Sequence, residues 1–201
     1  MRARERRALE RTAYHEAGHA VAAYALRKRV SSVTIVPDTE SGTLGLVIHG
    51  GLGRAVDRYS VGDRPGIQCD LRTERALERT IMIRCAGFIA EARFAGRRNW
   101  VGSRQDRLDV LDMAEIVTGA DPAASSAYVA WLEQRAAWIV GCPPYWAAIQ
   151  GLAAVLLERR ELRGLAPRRV IVAAIEAWQE REAPEIAALM RRQAQAARRA
   201  R

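Results

Sequence analysis

Apolar residues recur at three- and four-residue spacing near the start of the chain. Leu9, Ala13, Ala17, Val21 and Tyr24 would share one face of a helix over residues 4–28. The pattern then changes period. Val33 and Ile35 alternate within 30–37, and Leu44, Leu46 and Ile48 alternate within 43–50. A Gly-containing turn at 38–42 joins the two runs, so the pattern predicts a β-hairpin. Residues 51–71 are rich in Gly, Asp and Pro and read as loop. Helical spacing resumes at Leu77, Ile81, Cys85, Phe88 and Ala92, predicting a helix over 72–96. Further helices are expected at 104–118, 122–140, 144–162, 167–179 and 183–199. They are punctuated by Asp121-Pro122, Pro143-Pro144, Gly164 and Pro184. Tyr128, Trp131 and Trp138 sit at helical spacing and are expected in the core. The predicted fold is mainly α, one domain over 1–201 with a single small hairpin.

Composition adjusts this picture modestly. The chain has 201 residues, 49% hydrophobic and 27% charged, enough for one folded core. The net charge of +9 raises the question of a polyanionic partner. The charge is not spread evenly. Arg2, Arg4, Arg6, Arg7 and Arg11 outweigh Glu5 and Glu10 within 1–12. Arg191, Arg192, Arg198, Arg199 and Arg201 stand without an acid within 191–201. Between these basic arms the body is close to neutral. A neutral body with two basic ends does not fit a nucleic-acid-binding face. The arms read as solvated helix ends, and the core as about 10–170. Cys69, Cys85 and Cys142 form no C-x-x-C pair, which suggests a reducing cytoplasm rather than a disulfide framework. No apolar run approaches the ~20 residues of a membrane span. The basic N-terminus carries no long apolar stretch of the signal-peptide kind.

The strongest chemical signal is His15-Glu16-Ala17-Gly18-His19, an H-E-x-x-H motif in the first predicted helix. Spacing of four places the two imidazoles on one face, suited to a single Zn²⁺. Glu16 lies ~100° round the helix, free to act on water rather than on the metal. Only three histidines exist in the chain, and two are in the motif. A third protein ligand is required. Ala22 and Ala25 stand where a metzincin would have Gly and His, so that class is excluded. His49 reads as a surface residue, and Glu40 lies in a turn. Glu91, Asp106, Asp109 and Asp112 remain, and spacing does not choose among them. Asp106 also has a plain explanation, because Ser103-x-x-Asp106 fits a capping box.

The motif's surroundings resemble the peptidase domain of FtsH-type membrane-anchored AAA proteases. Thr12-Ala13-Tyr14-His15-Glu16-Ala17-Gly18-His19-Ala20-Val21 is similar to that family's zinc helix. Val30 to Pro37 followed by Leu44-Gly45 is similar to its strand pair. Ala86-Gly87-Phe88-Ile89-Ala90-Glu91-Ala92 resembles its "GGRAAEE" helix. Gly102-Ser103-Arg104-Gln105-Asp106, with Asp112-Met113-Ala114, resembles its "GASND…EIA" segment. The likeness covers about 10–170 and thins after 120. It implies Asp106 as third ligand, Glu91 as an acid behind the ligands, and a zinc endopeptidase with Glu16 as general base. The substrate would be a flexible or unfolded protein segment, added as a strand at Leu44, Gly45 and Leu46, where glycine permits close approach. No G-x-x-x-x-G-K-[ST] occurs, so any unfolding would come from a separate ATPase. Oligomerisation stays open. The alternatives are a catalytically silent binding or regulatory module on the same fold, and nucleic-acid binding through the arms.

Overall fold

A computed structural model describes residues 3–37, 45–49, 70–119 and 121–199. The described part is mainly helical. Helix α1 spans Ala3–Ala25, followed by strands β1 (Val30–Thr34) and β2 (Leu46–His49). Helices α2 (Leu71–Ala95), α3 (Arg104–Thr118), α4 (Pro122–Gly141) and α5 (Pro143–Arg159) come next. Strand β3 (Glu161–Arg163) and helix α6 (Ala166–Arg199) complete the order.

Local chemistry sets the helix limits. Asp70 caps α2 by accepting from the Thr73 amide at 2.7 Å, and Gly96 closes it in the left-handed region. Asp121 accepts from the Ala124 amide at 2.8 Å, and Pro122 occupies the first turn of α4, where a missing N–H costs nothing. Pro143 opens α5 in the same way.

The helices bury two connected apolar clusters. In the larger, Ala13, Ala17, Ala20 and Val21 of α1 pack with Ile83, Ala86 and Ala90 of α2 and with Ile149, Leu152 and Leu156 of α5. The run of small residues lets α1 and α2 approach closely. A Cβ on Gly18 would lie 2.6 Å from the Ala86 carbonyl oxygen. In the smaller cluster, Leu77, Ile81 and Cys85 of α2 meet Val110 and Met113 of α3 and Leu132 and Ala136 of α4. Helix α2 thus serves both cores and is the element against which the motif helix is set.

Several expectations need correction. The hairpin is part of a three-stranded antiparallel sheet ordered β2-β1-β3. Residues 161 and 162, expected as the end of a helix, instead follow a break at Arg160, whose φ is +65°, and with Arg163 pair with β1. The register is Val33 opposite both Val47 and Leu162. The inward face is Val33, Val47 and Leu162, whereas Leu46 and Ile48 are exposed. Alternation identified β2 but not which of its faces is buried. Pro184 lies inside α6 instead of separating two helices. Trp131 and Trp138 are 48% and 71% exposed, so they flank the core rather than fill it, while Tyr128 packs partly on the smaller cluster. The predicted loop 51–71 and Leu44 lie outside the described residues, apart from Asp70 and Leu71. Among the described residues no single helix is long and apolar enough to cross a membrane. Helices α4 and α5 reach that length and composition only together, and they are bent by 77°.

Candidate metal centre

The motif lies in the buried half of α1, with His15, Glu16 and His19 all shielded from solvent. Their common face is turned toward α2 and the start of α3. Asp106, in the first turn of α3, points back at both histidines. His15 Nε2 is 2.9 Å from Asp106 Oδ2, and His19 Nε2 is 3.4 Å from the same oxygen. Among the described residues these three form the cluster of His, Cys, Asp and Glu able to share one ion.

The other acids have other partners. Glu91 accepts from His15 Nδ1 at 3.2 Å, from Arg11 Nε at 2.9 Å and from Asn99 Nδ2 at 3.0 Å. Asp109 pairs with Arg84 at 3.2 Å and accepts from Gln105 Nε2 at 2.8 Å. Asp112 is exposed, and His49 lies in β2 opposite Val30. Glu40 lies outside the described residues. The capping-box explanation of Asp106 does not hold, since the Ser103 side chain makes no cap. Ser103 Oγ donates to the Asn99 carbonyl at 2.7 Å instead. The Asp106 carboxylate is therefore free to face the histidines.

The outer bonds assign the imidazole protons. His19 Nδ1 is 2.8 Å from the Ile83 carbonyl oxygen, an acceptor, so Nδ1 carries a proton and, whenever the ring is neutral, Nε2 keeps a lone pair. His15 Nδ1 faces the Glu91 carboxylate in the same manner. Two Nε2 lone pairs and a carboxylate oxygen then converge on one point, which is repulsive unless a cation or a proton sits among them. Burial disfavours charge on His15, but hydrogen bonds to Asp106 and Glu91, with the charges of Glu16 and Asp106, push it up to about 10. Burial alone would raise Asp106, yet the charges and bonds of His19 and His15 hold it far below the usual carboxylate range. The same surroundings suit Zn²⁺. One nitrogen from each histidine and one carboxylate oxygen, all within 4.8 Å of one another, are donors that zinc accepts. The residues fit the metal in donor type and in the tautomer their outer bonds favour.

Glu16 sits beside this point without joining it. Burial raises its pKa, and the neighbouring imidazoles of His19 and His15 when protonated, together with Arg84, restrain the rise. Two glycines make room for the group. A Cβ on Gly45 would meet Glu16 Cγ and Oε1 at 2.7 Å, and one on Gly87 would overlap the His19 ring. Gly45 was expected to admit a substrate backbone, but the atoms that occupy its open side belong to Glu16.

Arg11, Arg84 and Asn99 were not singled out by sequence reasoning. Arg84 Nη1 donates to Asp106 Oδ1 at 2.9 Å, leaving Oδ2 to the histidines. Among the described residues its buried Nε has no hydrogen-bond partner. Arg84 and Glu91 lie seven residues apart on α2, a spacing that puts both on one helix face, and this was the available signal. Asn99, in a connection between helices, had none. Compared with known proteins, the chain matches no family model and no curated protein.

Proposed function

We propose that the chain is a zinc-dependent endopeptidase acting on flexible or unfolded protein segments. The observation that carries this reading is the convergence of His15 Nε2, His19 Nε2 and Asp106 Oδ2, with Glu16 beside them. His15, His19 and Asp106 would hold the ion. When bound, Zn²⁺ supplies a Lewis acid that polarises the scissile carbonyl and lowers the pKa of water. Glu16 accepts the proton of the attacking water at its carboxylate and returns it to the leaving amine. Glu91 and the Ile83 carbonyl hold the imidazoles in the ligating tautomer, and Arg84 holds Asp106 through its second oxygen.

The sheet supports strand addition as the mode of substrate binding. Among the described residues β2 is an edge strand, and Gly45 at its start lies against Glu16, so a peptide paired to this edge would run past the general base. Gly45 and Leu46 are the described members of that candidate strand. An ATPase supplied by another chain would deliver folded substrates. We infer a reducing cytoplasm as the setting of the reaction, a reading supported by the free thiols of Cys85 and Cys142.

Metal analysis combined with cleavage of an unfolded protein tests this. Stoichiometric zinc in the purified chain, lost in His19→Ala, and activity lost with zinc kept in Glu16→Gln, is the expected result. Wild-type protein that takes up no zinc ends the proposal. A second reading, a silent binding module on this fold, is favoured by the exposure of Trp131 and Trp138 on α4. It predicts retained zinc with no cleavage of any unfolded substrate.

A further inference from the structure

The basic N-terminal segment does not simply project into solvent. Arg4, Arg7 and Arg11 of α1, together with Arg97 just beyond α2, line a cavity of about 570 Å³ whose other described lining is Ala8 and Ala95. We propose that this cavity binds a compact anion bearing more than one phosphate-type group.

Four arguments support the assignment. First, among the described residues no carboxylate lines the cavity, and Arg4, Arg7 and Arg97 have no ion-pair partner there. Unpaired guanidiniums gathered on one concave wall repel one another, and a multivalent anion relieves that repulsion. Second, the planar fork of arginine matches the oxygen geometry of phosphate bidentately. Third, Arg11 is already held in place. Its Nε and Nη2 are 2.9 and 2.8 Å from Glu91 Oε1, a pair in which Nη1 takes no part. Part of the cost of ordering the site is thus met before a ligand arrives. Fourth, the volume lies within the ~300–1,000 Å³ typical of small-molecule sites, more than a single phosphate requires. Among the described residues no aromatic ring lines the cavity to stack a nucleobase, which favours a small oligophosphate over a nucleic-acid strand.

The site is separate from the metal centre in its ligating residues and stands or falls independently of the zinc proposal. The test is calorimetric titration of sodium tripolyphosphate into the full chain at about 0.15 M salt, where long-range attraction is screened. One saturable site is expected. Arg7→Gln and Arg97→Gln should each weaken binding about tenfold, the worth of one charged hydrogen bond. Neither residue touches Glu91, and both are exposed, so circular dichroism should show the fold unchanged. His19→Ala should bind tripolyphosphate as the wild type does, which separates capture by arginine from removal of a bound metal. Absence of saturable binding, unchanged affinity in the Arg7→Gln/Arg97→Gln double variant, or loss of binding in His19→Ala would each overturn the proposal. So would a single-stranded oligonucleotide that binds more tightly than tripolyphosphate and is lost in the same double variant, because the cavity would then belong to nucleic acid.

Discussion

Glu16 and His19 each owe their position to a glycine on another element, and the two glycines separate the two jobs of the site. A methyl group at Gly45 presses on the Glu16 carboxylate. Gly45→Ala should therefore lower peptidase activity and leave zinc stoichiometry unchanged. A methyl group at Gly87 would overlap the His19 ring, which has no second place to go in a packed interior. Gly87→Ala should lose zinc and cost about 1–3 kcal/mol of stability through overpacking, read by metal analysis and urea denaturation. If both variants changed metal content equally, the assignment of separate roles to Glu16 and His19 would fail. Cys85 shows the opposite use of burial. Its thiol, desolvated and near the negative charges of Glu133 and Asp106, is pushed up to about 12. The thiolate is the reactive form, so Cys85 should resist iodoacetamide at pH 8 in the native protein and react once the chain is unfolded.

At the scale of elements, α2 carries more of the site than the motif helix alone suggests. It contributes the Ile83 carbonyl, Arg84, Gly87 and Glu91, all on the side facing α1 or α3. Residues behind metal ligands typically contribute 10- to 100-fold in affinity. Glu91→Gln should weaken zinc binding by about that factor, measured by chelator competition, since the neutral amide polarises His15 less. By contrast, Asp70→Ala removes only the cap of α2. It should lower the urea midpoint slightly and leave zinc affinity unchanged. The motif and its spacing were legible because helical geometry is local. The capping-box reading of Ser103 and Asp106 was also local, and it failed because Asp106 finds stronger partners across the fold. Burial of two imidazoles and a guanidinium around one carboxylate outweighs a single cap hydrogen bond.

Across the whole molecule, stability and candidate chemistry are concentrated in the same region. The two apolar clusters meet along α2, and the described side chains beyond Pro184 in α6 are exposed or half-buried, Leu189 and Met190 among them. Truncation after residue 183 should change the unfolding free energy by no more than about 0.5 kcal/mol, as surface changes do, and leave zinc content intact. A large loss in either measurement would show that α6 has a partner in the folded chain. The basic ends behave differently from each other. The first contributes to an arginine-lined cavity, whereas the described side chains of the second are exposed.

What the sequence determined by itself was much of what neighbours a few residues apart govern. That includes the mainly helical class, the prolines at 122 and 143 that open helices, and the alignment of His15 and His19 on one face with Glu16 turned aside. What only the tertiary structure decided was which distant groups meet. Asp106 was singled out among the four acids by its position against α1, 91 residues along the chain from His15. Leu162 joined the sheet because β1 had a free edge, and Trp138 faced outward because smaller residues already filled the core. Such choices depend on the relative placement of whole helices, which is set by close packing and by the satisfaction of buried polar groups. Neither leaves a periodic trace in the chain.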